Sequence, residues 1–117
     1  MAPPRDAAIR LHDILEAMAV IREALGAASY EKHLGDNTMR FAVERGVEII
    51  SEASRHIPAE LKDREPQIDW KSVAGIGNIL RHDYANIADD VIYKTATARL
   101  DDLEPAVLRL LAYVEGR

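Results

Sequence analysis

The most regular feature of this chain is an apolar series at Met39, Val43, Gly46, Ile50, Ala53 and Ile57, in which steps of four and three residues alternate. With 3.6 residues per helical turn, such a series stays on one stripe, so the segment reads as a helix with a packed seam. Gly46 and Ala53 are small, which predicts that another helix approaches the seam closely. Asp36 or Asn37 can cap this helix at its start. Pro58 ends it, because proline has no amide hydrogen to donate and disfavours helical geometry in the residue before it.

Related stripes run through the rest of the chain. Leu11, Ile14, Leu15, Met18, Ile21 and Leu25 predict a first helix over about residues 6–25. Gly26 to Ser29 break the pattern, and Ser29, Lys32 and Leu34 leave room for a short helical turn before Gly35. Residues 58–69, with the run Lys62-Asp63-Arg64-Glu65-Pro66, read as a charged, mostly exposed connector holding at most one short turn. A third long segment opens at Asp69 and carries Trp70, Val73, Ala74, Ile76, Ile79 and Leu80. Its two interior glycines, Gly75 and Gly77, each cost a helix about 1 kcal/mol relative to alanine, which predicts close backbone packing there. After a polar turn at residues 85–87, Asp89 is placed to cap a last helix through Ile92, Ala96, Leu100, Leu103, Val107, Leu110 and Val114. Pro105 is expected to kink that helix or restart it after Asp102. No strand alternation competes, and the expected fold is an all-α, up-and-down four-helix bundle. The long stripes on its second and fourth helices point to a homodimer.

Composition sets limits on function. With 117 residues, 48% of them hydrophobic, the chain reads as one domain over 1–117, its first five residues a flexible N-terminus. There is no cysteine, which removes disulfides and thiolate metal ligands. The opening residues lack an apolar signal core and no run of about 18 apolar residues occurs, so the expectation is a cytoplasmic protein without a membrane partner. A net charge of -5 disfavours a broad electrostatic surface for nucleic acid, and 5% aromatics disfavour a base-stacking platform. Any RNA contact must be local or shared with a partner. His12, His33 and His56 are scattered without a ligand-pair spacing; they read as surface residues, with no metal site and no cofactor implied. Arg45, Glu48 and Glu52 lie at helical spacing suited to ion pairs along one helix. Asp101, Asp102 and Glu104 read as a helix-start cluster, not a carboxylate dyad.

The densest set of reactive groups is Asn78-Ile79-Leu80-Arg81-His82-Asp83-Tyr84, where a buried helix gives way to a turn. Asn78 and His82, four apart, share a helical face, and Arg81 projects about 100° away from His82. By chemistry alone His82 suits either acid–base work near neutral pH or a favourable charge at a helix C-terminus. Tyr84 would be an ordinary amphipathic tyrosine.

The run from Trp70 through Val73-Ala74-Gly75 to Gly77-Asn78-Ile79-Leu80-Arg81-His82-Asp83-Tyr84 resembles the core motif of HepT-like proteins. Glu44-Arg45-Gly46-Val47-Glu48-Ile49-Ile50-Ser51-Glu52-Ala53 and Leu11-His12-Asp13-Ile14-Leu15-Glu16-Ala17 are similar to two further segments of that family, in the same order. The resemblance implies a HEPN-type domain, dimeric, acting as the ribonuclease toxin of a two-gene pair. Its partner would be a small MntA-type nucleotidyltransferase antitoxin. The family signature, Arg, four to six residues, His, any residue, Tyr, implies metal-independent RNA cleavage at the Arg and His and attachment of AMP to the Tyr. Carried over, His82 is the catalytic histidine and Tyr84 the AMP acceptor. The chain departs from the pattern at Gly77, five residues before His82, where the family has its arginine; the arginine here is Arg81. Arg81 is therefore expected to hold the phosphate, with Asn78 and Arg45 in support. The alternative is a non-catalytic HEPN dimer that binds nucleotide or docks a nucleotidyltransferase.

Overall fold

A computed structural model describes residues 4–81 and 86–116. Its helices are α1 (Pro4–Leu25), α2 (Tyr30–Gly35), α3 (Asn37–Arg55), α4 (Ala59–Lys62), α5 (Trp70–Arg81), α6 (Asn86–Lys94) and α7 (Leu100–Val114). A π-helical turn, Thr95–Arg99, joins the last two. Among the described residues there is no strand, and the fold is the expected all-α, HEPN-like bundle.

α1 opens at Pro4, two residues before the expected start; residues 1–3 of the expected flexible N-terminus lie outside the described residues. Proline suits a first turn, where its amide hydrogen would have no helical partner. Leu11, Ile14, Met18 and Ile21 are fully buried along the predicted stripe. The helix stops at Gly26, whose φ of +54° is a left-handed conformation that favours glycine. Ser29 caps α2 by accepting from the Lys32 amide at 3.1 Å. Of the two candidates for α3, Asp36 is the cap, accepting from the Met39 amide at 3.0 Å.

The α3 seam is buried at Val43, Gly46, Ile50, Ala53 and Ile57. At Gly46 the approach of α1 is closest: a Cβ there would fall on Ile21 Cγ1 and within 2.8 Å of its Cδ1. α1 lies between α3 and α7. Late in α1, Arg22 pairs with Asp101 at 3.0 Å and Glu104 at 2.9 Å, early in α7; early in α1, His12 meets Glu115 just past its end. The two helices therefore run antiparallel.

The connector at 58–69 holds its one short turn, α4, and most of it is exposed, but two residues are buried. Leu61 is buried, and so is Glu65, against the expectation of a charged, mostly exposed connector. Arg109 of α7 grips the Glu65 carboxylate through Nη2 at 2.6 Å and Nε at 3.1 Å, and Gln67 donates to it at 2.7 Å. These charge-assisted bonds, led by that from Arg109, hold the Glu65 carboxyl below its usual range.

The last helical arm corrects the sequence reading in two places. Asn86 and Ile87, expected in a turn, already belong to α6, so Asp89 sits inside the first turn instead of capping it. α7 runs through Pro105 without a break. The proline removes only the bond to the Asp101 carbonyl, in an exposed first turn where water can replace it. The irregularity lies earlier, in the π turn. Ile92, Ala96 and Leu100 are separated by two successive four-residue steps, which overshoot the α-helical period, and the wider turn keeps all three buried.

Gly75, unlike Gly46, has no heavy atom within 4 Å of where a Cβ would stand, so the expected close packing at that glycine is absent. Gly46→Ala should lower stability by about 1 kcal/mol, overpacking of about 1–3 kcal/mol being partly offset by helix propensity. Gly75→Ala should raise it by about 0.5–1 kcal/mol. Urea denaturation of the two variants checks the opposite signs.

Candidate functional site

The sequence motif lies at the C-terminal end of α5, so the site depends on how that helix is held. At its start, Asp69 Oδ1 accepts from the Ser72 amide at 3.1 Å and Oδ2 from the Ser72 hydroxyl at 2.7 Å. Trp70 is nearly buried and its indole N–H donates to the Glu65 carbonyl at 3.2 Å. The Glu65–Arg109 pair thus fixes the entry to α5 against α7.

Further along, α5 is tied to α3 at one node. The buried Ser51 hydroxyl donates to the Ala74 carbonyl at 2.7 Å and accepts from the Gly77 amide at 3.0 Å. Arg55, one turn on along α3, donates to the same Ala74 carbonyl from Nη2 at 2.9 Å and Nε at 3.3 Å. Gly77 is buried here, and with no side chain of its own it meets α3 through its backbone. Ser54, also buried, donates back to the Ser51 carbonyl at 2.7 Å and places no demand on α5.

The motif leaves from this node. Asn78 is exposed, and Ile79 is 37% exposed. Arg81 is the last residue of α5; its side chain, and the whole of His82 and Tyr84, lie outside the described residues. Arg45 lies about 120° round α3 from Ser51, six residues away. It is exposed, pairs with Glu48, and lines a shallow depression with Arg10, Asp13 and Glu52, between α1 and α3. The structure does not bring Arg45 to the Ala74–Asn78 segment. Among the described residues no three His, Asp or Glu side chains converge as a metal site would require.

A model of the family described as "Ribonuclease HepT-like" matches residues 14–110. The chain belongs to that family. Among its HepT-like relatives, the Thermococcus cleftensis protein named "Probable ribonuclease HepT" is 36% identical over 94 residues, 80% of this chain and 86% of that one. Two Methanocaldococcus jannaschii proteins provisionally named as RNases, MJ1380 and MJ1216, are 36% and 29% identical, covering 77% and 98% of this chain and 83% and 95% of their own. No solved structure matches the chain significantly. Among the described residues of this HepT-like chain, no helix is long and apolar enough to cross a membrane.

Two features escaped the sequence reading. Ser51 and Arg55 form the α3–α5 node; the available signal was a pair of polar residues four apart beside an apolar seam. The other is His33. His12 and His56 are exposed, as expected, each beside a carboxylate, but His33 is fully buried. It lies on the inner side of α2, 5.5 Å from the Tyr93 ring of α6, and neither ring nitrogen has a hydrogen-bond partner among the described residues. Tyr93 in turn donates to the Ala28 carbonyl at 2.8 Å and meets Tyr30 edge-on at 5.3 Å. A six-residue helix gives too short a pattern to reveal which side faces in.

Burial pushes the His33 pKa down; Asp89 of α6 opposes the shift and Arg40 of α3 adds to it. The unfolded chain then takes up a proton near pH 6.5 while the folded one does not, so stability falls as pH drops below that value. Denaturation between pH 7.5 and 5.5 should show this loss, and His33→Leu should flatten it.

Proposed function

We propose that this chain is an RNA-cleaving toxin of a two-gene toxin–antitoxin pair. The observation that carries the reading is the Asn78–Tyr84 motif at the end of α5 in a chain that matches the ribonuclease HepT-like family over residues 14–110. The RNase names of its relatives support the same reaction class.

In this mechanism His82 takes the proton from an RNA 2′-hydroxyl, whose oxygen forms a bond to the adjacent phosphorus. The bond from phosphorus to the 5′-oxygen breaks, and that oxygen leaves with a proton. The products are a 2′,3′-cyclic phosphate and a 5′-hydroxyl. Imidazole suits both transfers because its pKa lies near neutrality. Arg81 holds the phosphate with its forked donors and stabilises the charge that develops on its oxygens. Asn78, exposed on the same helix, orients the imidazole or the RNA; Arg45, paired with Glu48 on another face of α3, takes no part in the mechanism. A homodimer in the cytoplasm brings two such sets into one cleft. An MntA-type nucleotidyltransferase silences the toxin: the Tyr84 phenolic oxygen attacks the α-phosphorus of ATP, and pyrophosphate leaves. The AMP so attached places negative charge and bulk where the RNA phosphate would bind.

Gly77, at the position of the family arginine, favours a second reading, a HEPN dimer that docks the nucleotidyltransferase without cleaving RNA. Growth and total RNA integrity in cells expressing wild type, His82→Ala or Arg81→Ala, each without the partner gene, separate the two. The toxin reading predicts arrest and fragmented RNA with wild type alone. Harmless expression of all three, with intact RNA, selects the docking module.

A further inference from the structure

We propose that Arg55 is a phosphate-binding residue, positioned by α5 to hold the RNA strand beside the motif; the inference rests on the RNA-cleavage reading above. Arg55 is anchored by an uncharged group, as Arg40 is by the Leu34 carbonyl at 3.1 Å, but Arg40 stands near the start of α3 and Arg55 at its end, against α5. Arg22, Arg45 and Arg109 are each closed on a carboxylate, which cancels their charge. Arg55 is held by the neutral Ala74 carbonyl, through Nη2 at 2.9 Å and Nε at 3.3 Å. Its ion pair with Glu52 is loose, at 3.8 Å, and Glu52 is 58% exposed and shared with His56 at 3.4 Å. Exposed pairs of this kind contribute little and are readily exchanged for a better anion.

The location is equally specific. A helical carbonyl points along the axis toward the amide four residues on, so the Ala74 oxygen faces Asn78, the first residue of the motif. The guanidinium that binds this oxygen therefore lies against α5 at the level of Gly77 and Asn78, where Gly77 supplies no side chain. With its side chain 37% exposed, Arg55 keeps one hydrogen of Nη2 and, once the loose contact of Nη1 with Glu52 is exchanged, Nη1 as well for a solvent-borne anion, the forked arrangement that suits a phosphate. Arg99 makes no ion pair among the described residues, but it lies by Asp69 at the opposite end of α5.

The test is the salt dependence of binding. Affinity for a short fluorescein-labelled poly(U) strand with 2′-O-methyl sugars, which cannot be cleaved through the 2′-oxygen, is followed by anisotropy against salt. Each phosphate contact on a single strand contributes about 0.7 to the slope of log affinity against log salt. Arg55→Met should lower the slope by about that amount, and Arg55→Lys should keep it. Ser51→Ala, which loosens the same carbonyl without removing a charge, should leave the slope unchanged, as a purely structural role for Arg55 would not predict. Binding by wild type with an unaltered slope in Arg55→Met overturns the assignment of Arg55 alone. A wild-type protein that does not bind the strand at all overturns the RNA-cleavage reading, and this assignment with it.

Discussion

At Gly46, α3 has no side chain, and Ile21 of α1 occupies the space that a Cβ would take. This contact sets the distance between the two longest helices of the bundle and so fixes the height of α3. Everything near the motif is then hung on α3. Ser51 and Arg55, one and two further turns along the helix, hold the Ala74–Gly77 backbone of α5. An interaction with no chemistry of its own, a methylene against a glycine, thus determines where the motif helix stands.

The second support comes from the other side. Glu65 is buried and charged, which is tolerable only because Arg109 and Gln67 satisfy its oxygens. The same residue's carbonyl receives the Trp70 indole, so the connector is clamped to α7 and to the first residue of α5 together. α5 is therefore fixed at its entry and its middle, while Asn78 and Ile79 reach solvent. Such an arrangement suits a site that must present polar groups from a rigid element.

The bundle was legible in the sequence where long helices bury a stripe. The four–three series placed α1 and α3, and the cap of α3 was narrowed by side-chain chemistry to Asp36 or Asn37, of which Asp36 is the one used. Failures came where burial depends on a distant partner. Nothing local marks Glu65 as buried, because its partner Arg109 is 44 residues away. His33 faces inward because α6 packs over it, and Gly75 and Gly77 differ only in what α3 presents to them. The π turn left a faint trace, the paired four-residue steps from Ile92 to Leu100, which a period-based reading passes over. For the site, the motif was readable as a string and matched a family of ribonucleases, whereas Arg55 could be found only once α3 and α5 were laid side by side.

We propose that this chain cuts RNA through its own side chains. Purified protein incubated with single-stranded RNA in excess chelator, followed by analysis of the new ends, tests that claim most directly. The account predicts fragments ending in 2′,3′-cyclic phosphate and beginning with 5′-hydroxyl, and none with His82→Ala. RNA left intact by the wild-type protein, or fragments formed equally by His82→Ala, would contradict it.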